Sequence, residues 1–128
     1  MSKDQIVTEE HHRRPRSLGG TESPANVSYV VSRYHKNWHT LFGNMNAYQI
    51  CCQINKSKFK PKELLVVCKF INGIEVLKSG ENCSKKQTKT SYAWYSLFKD
   101  MEEFEEIIKY INNVWLDPSY HFYVEKKI

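Results

Sequence analysis

Ser57-Lys58-Phe59-Lys60-Pro61-Lys62-Glu63-Leu64-Leu65-Val66-Val67-Cys68-Lys69-Phe70-Ile71 is the stretch on which the fold turns. It opens with lysines spaced around an aromatic ring. It then runs into an unbroken apolar segment, residues 64–67, the pattern of a strand buried along much of its length. Lys58, Lys60 and Lys62 cannot be buried unpaired, so they are expected to face water or an anion. A strand that starts at a basic, ring-bearing edge suits a nucleic-acid strand, with lysines for phosphates and a ring for a base. A solvated lysine-rich turn satisfies the same pattern.

Downstream, Asn72-Gly73 is a two-residue hairpin signal, and residues 74–78 read as its return strand. Residues 83–90 are polar and lysine-rich, a fourth strand or the approach to one. Upstream, residues 45–54 alternate. Tyr48, Ile50, Cys52 and Ile54 share one face and Ala47, Gln49, Cys51 and Gln53 the other, which predicts a half-buried antiparallel strand. Leu41-Phe42-Gly43-Asn44 reads as a turn. Residues 27–34, rich in Val and Tyr, read as a strand, and 35–40 are polar around Trp38. After residue 90, Trp94, Leu97, Phe98, Met101, Phe104, Ile108, Ile111 and Trp115 recur at threes and fours. That stripe predicts one amphipathic helix from Ser91 to about Asn113, capped by Ser91 or Thr90. The helix ends at Leu116-Asp117-Pro118-Ser119, and Tyr120, Phe122 and Val124 alternate as a short final strand.

The 128 residues suffice for one modest domain. A net charge of +5 suits a polyanionic partner, and its distribution is uneven. Residues 56–90 carry nine lysines against three glutamates, whereas 91–115 carry two lysines against five carboxylates. Residues 1–25, poor in large aliphatics, read as a disordered basic arm with His11-His12-Arg13-Arg14-Pro15-Arg16 as its charged cluster. Residues 26–128 read as a single α+β domain. Cys51, Cys52, Cys68 and Cys83 form no C-x-x-C pair and are expected as reduced thiols of an intracellular protein. His35-x-x-x-His39 places two imidazoles on one helix face, but no third ligand is near in sequence, so neither metal nor cofactor is expected. No apolar run approaches the roughly 20 residues of a membrane span. No nucleophile–base or phosphate-loop signature stands out, and the acids lie on the half away from the lysines, so the chain is not expected to be an enzyme.

The order strand, basic loop, strand, Asn-Gly turn, strand, basic segment, helix resembles the single-stranded-DNA-binding domain of the positive cofactor four family of transcriptional coactivators. The likeness spans about residues 42–111, with a core to about 113 and an extension over 114–128. Three places carry it: Phe42-Gly43-Asn44-Met45 with Tyr48; Phe59-Lys60-Pro61-Lys62 before an apolar strand; and Trp94 with Leu97 and Met101. The resemblance implies a curved four-stranded antiparallel sheet backed by one C-terminal helix. It implies a homodimer formed through that helix (Trp94, Leu97, Phe98, Met101, Phe104) and a sheet edge, and single-stranded DNA held on the sheet. Phe59, Lys60 and Lys62 fall on matching motif positions, and Phe70 or Ile71 falls where the family has a stacking Trp. Pro61 replaces a Gly, the stacking Trp is missing, and the family's acidic Ser-rich arm is absent. The expected binding set is Lys56, Lys58, Phe59, Lys60, Lys62, Lys69, Phe70, Lys78, Lys85, Lys86 and Lys89. The expected role is a nuclear, coactivator-like or replication accessory protein that binds single-stranded DNA and meets the transcription machinery. The alternatives are an RNA-binding protein of similar architecture, or a protein–protein adaptor using the acidic helix.

Overall fold

The computed structural model describes residues 6–71, 76–78 and 91–127, with 76–78 described as backbone only. The lysines at 85, 86 and 89, Cys83, the Asn72-Gly73 turn and the expected strand over 83–90 lie outside the described residues. The architecture is mixed α and β, as expected, but its sheets are not the four-stranded curved one. A two-stranded sheet and a three-stranded sheet form instead.

The two-stranded sheet is N-terminal. β1 (Thr8–His12) pairs antiparallel with β2 (Val27–Val31), Thr8 opposite Val31 and His12 opposite Val27. A 3-10 turn over Arg16–Leu18 lies between them and closes on Gly19 at φ +87°. Gly20 packs so closely on the Arg14 carbonyl that a Cβ there would stand 1.7 Å from its oxygen. From residue 6 onward, the segment expected as a disordered arm is thus ordered as the first strand and turn of a hairpin. Few aliphatic side chains hold it; polar groups do. Arg13 donates to the carbonyls of Leu116 (Nε, 2.8 Å) and Asn112 (Nη2, 2.6 Å), and Ser28 Oγ to that of Val114 (2.7 Å). His11 Nε2 lies 2.9 Å from the Trp115 oxygen. These carbonyls belong to or adjoin a π-helical turn, Ile111–Trp115. The wider turn leaves carbonyls that the ordinary helical ladder would have used.

Residues 35–40 belong to α1 (Ser32–Phe42), which buries Trp38, Leu41 and Phe42 and stops at Gly43, φ +54°. The stretch expected as a first strand is a second helix, α2 (Ala47–Lys56). Its start is a complete capping box. The Asn46 side chain accepts from the Gln49 N–H, and the Gln49 side chain accepts from the Asn46 N–H. Ala47, Ile50, Cys51 and Ile54 then make one buried face at helical spacing.

β3 (Leu64–Phe70) is the central strand, as its apolar run predicts. β4 (Val76–Lys78) pairs antiparallel on one side, the expected return strand, and β5 (Tyr120–Lys126) on the other. Where the described part of β4 stops, the Asn55 amide serves as a substitute strand: it donates to the Val66 carbonyl and accepts from its N–H, both at 2.8 Å. The Asn112 amide does the same to Phe122 on β5, at 2.7 and 2.8 Å.

The single helix expected over 91–113 is broken. α3 (Ser91–Phe98) packs against α1, and α4 (Phe104–Tyr110) against β5. Glu103 is the N-cap of α4, and Glu105 and Glu106 fill its first turn, where the helix dipole favours negative charge. The apolar stripe therefore serves two directions of one core. Trp94, Leu97, Phe98 and Phe104 are buried within the chain and Met101 packs against the same cluster.

Candidate functional site

The lysine-rich loop follows α2 and enters β3. The end of β5 lies against it: the Lys127 N–H donates to the Glu63 carbonyl at 2.7 Å, and Lys126 stands opposite Leu64. This register sets exposed Lys126 and Lys127 beside the start of β3, at the end of the segment that carries exposed Lys56, Lys58 and Lys62. Among the described residues no carboxylate forms an ion pair with any of these five ammonium groups. Lys126 and Lys127 are additions to the expected set. Their signal in the sequence is a final strand of unknown partner, and only its pairing with β3 places them.

Two residues on which the expectation rested have other work. Phe59 stacks face to face on Trp94, ring centroids 4.9 Å apart and planes 8° apart. Its outer neighbour is the Lys58 ammonium, 5.5 Å from the ring centroid. Lys60 is buried and folds back on its own loop, donating to the carbonyls of Leu64 (2.6 Å) and Pro61 (3.1 Å). Burial, then the nearby Lys127 charge, lowers its pKa. Lys69 and Phe70 are at the other end of β3, where Phe70 leans on Tyr120 at 5.3 Å. At about 3.3 Å per residue, five residues of strand separate Lys69 from Leu64 by roughly 17 Å, so these two lie away from the start of β3. Lys78 closes β4, opposite Val67.

A second constellation lies on the hairpin side. His11 lies next to the end of its strand, against α1, where His35 and His39 sit one turn apart. Each of the three imidazoles offers a ring nitrogen within 4.8 Å of the others. His35 Nε2 and His39 Nε2 are 3.0 Å apart. The cluster rests on stacked Trp38 and Trp115, whose centroids are 4.9 Å apart, with His11 edge-on to Trp115 at 5.0 Å. Burial pushes the His11 imidazole down to about 4. Burial and then the His35 charge lower His39, against a hydrogen bond to the Gly43 backbone. The Glu9 carboxyl is held below its usual range by hydrogen bonds from His35 and Ser32. The cluster opens into a cleft of about 430 Å³ whose rim includes Glu10, His12 and Arg16. Glu10, His12 and Glu22 also approach one another, but Glu22 is already bonded to the Arg16 guanidinium and His12. Spacing in the sequence pairs His35 with His39 and misses the third imidazole, because nothing local marks β1 as a strand.

Cys51, Cys52 and Cys68 are fully buried and joined in no disulfide among the described residues. Burial and then the neighbouring Cys51 push the Cys68 thiol up to about 12. No described helix is long and apolar enough to cross a membrane. No family model, curated protein or solved structure matches the chain.

Proposed function

We propose that the protein binds single-stranded nucleic acid along the edge formed by Lys56, Lys58, Lys62, Lys126 and Lys127. The observation that carries this reading is the pairing that sets Lys126 and Lys127 beside the lysine-rich entry to β3, with Lys56, Lys58, Lys62, Lys126 and Lys127 all exposed and free of acidic partners among the described residues. A row of unneutralised ammonium groups attracts a phosphate chain and gains affinity by releasing condensed counterions. A ring available for base stacking is Tyr95, 69% exposed on α3 next to Trp94, on which Phe59 of the lysine loop stacks. Stacking and phosphate contacts distinguish bases weakly, so sequence preference is small.

Fluorescence anisotropy with labelled single-stranded DNA, RNA and duplex of equal length, each across a salt series, tests the proposal. Changing Lys58, Lys62, Lys126 and Lys127 to Ala should flatten the slope of log K against log salt by about 0.7 for each single-strand phosphate that is no longer neutralised. Tyr95→Ala should cost roughly 1–3 kcal/mol of affinity at nearly constant slope. Phe59→Ala should act on the fold instead, by about 2–3 kcal/mol in urea unfolding, since it removes a half-buried ring stacked on Trp94. A quadruple lysine variant that stays folded and binds as the parent does would overturn the reading and favour a protein partner for the acidic helices. Preference for RNA over DNA would keep the site and change its ligand.

A further inference from the structure

We infer that His11, His35 and His39 form a binding site for one zinc ion, with the fourth coordination position open to the cleft. Zinc takes imidazole nitrogens in tetrahedral sets, and three histidines with one open position is a recurrent arrangement in accessible sites. Three ring nitrogens mutually within 4.8 Å surround a space that small rotations of the rings bring to bonding distance. Two tautomers are already set. The Trp115 carbonyl can accept only from an N–H, so His11 Nε2 carries the proton and its Nδ1 the lone pair. His35 Nδ1 lies 2.6 Å from Glu9 Oε1, which fixes the proton there and leaves Nε2 to face His39 Nε2. A carboxylate behind a ligating imidazole is the usual outer partner of a metal-bound histidine. Without an ion, two ring nitrogens 3.0 Å apart share at most one proton; with an ion both are satisfied. The coordinated elements are far apart in sequence, so an ion would clamp β1 to α1 while its open side faced the cleft.

The full chain, stripped with a chelator, should take up one zinc ion per molecule in calorimetric titration with zinc chloride. X-ray absorption of the loaded protein should show imidazole scattering and a first shell near 2.0–2.1 Å, about the zinc–nitrogen distance. His39 is exposed, so His39→Ala should leave the fold intact and weaken zinc more than about tenfold. Glu9→Gln should weaken it by about tenfold through the lost orientation of His35. Exposed His121, on β5, serves as control, and His121→Ala should bind as the parent does. In the cobalt-loaded protein, added thiocyanate should shift the visible spectrum through the open position, and a spectrum that no small anion moves would overturn that feature. The site itself is overturned by the absence of stoichiometric uptake, by a His39→Ala protein that binds zinc unchanged, or by a first shell of sulfur.

Discussion

Cys68 shows how far one environment moves one group. Its thiol is fully buried in the central strand, and the folded chain keeps the proton to about 12, against 9.0 for an unconstrained thiol. Between those values the unfolded chain has released a proton that the folded chain retains, so ionisation favours unfolding. Stability should therefore fall as pH rises through that window, by at most about 1.4 kcal/mol per pH unit from this group. Urea unfolding of the parent and of Cys68→Ala across the alkaline range checks this, and the variant should show the shallower decline. If the two declines are parallel, Cys68 is not the cause. Lys60 makes the complementary point. A lysine inside a basic run looks like a phosphate ligand, yet its ammonium closes a loop on two carbonyls. Sequence shows the charge of such a residue but not the direction of its chain.

Among the elements, β2, β3, β4 and β5 were legible, from β-branched or alternating runs and one Asn-Gly signal, whereas β1 was not. The segment that became α2 was ambiguous because ten residues fit both a period of two and a spacing of three and four. The deciding signal was local: Asn46 and Gln49 spell a capping box. Asn46→Ala should cost about 1 kcal/mol, measured by thermal or urea unfolding, because it frees a backbone N–H at the helix start. A variant as stable as the parent would show that packing of Ile50, Cys51 and Ile54 alone secures α2. The break between α3 and α4 was also written in the chain, since Glu103, Glu105 and Glu106 suit the start of a helix better than its middle. The histidine cluster was not legible, because its third member depends on how β1 docks, and local periodicity carries no trace of docking.

At the scale of the molecule, the hairpin and the π-helical turn depend on each other. Arg13 is the main tie, and burial, opposed by the Asp117 charge, lowers its pKa. Arg13→Ala leaves the Asn112 and Leu116 carbonyls without that donor and should cost about 1–3 kcal/mol. The loss should be local first: amide exchange should quicken in residues 8–12 before it does in β3. Uniform acceleration across both sheets would mean that the hairpin and the main sheet unfold as one unit.

That tie also sets an order of events during synthesis. Arg13 and its acceptor Leu116 are 103 residues apart. At roughly 5–20 residues per second, a ribosome needs on the order of 5–20 s to reach the second after making the first. Through that interval the hairpin has no π-helical carbonyls to dock on, and β3, once made, waits for β5. The nascent chain thus carries its central apolar strand with an open edge until β5 has been made, an interval in which an unpaired strand edge invites aggregation.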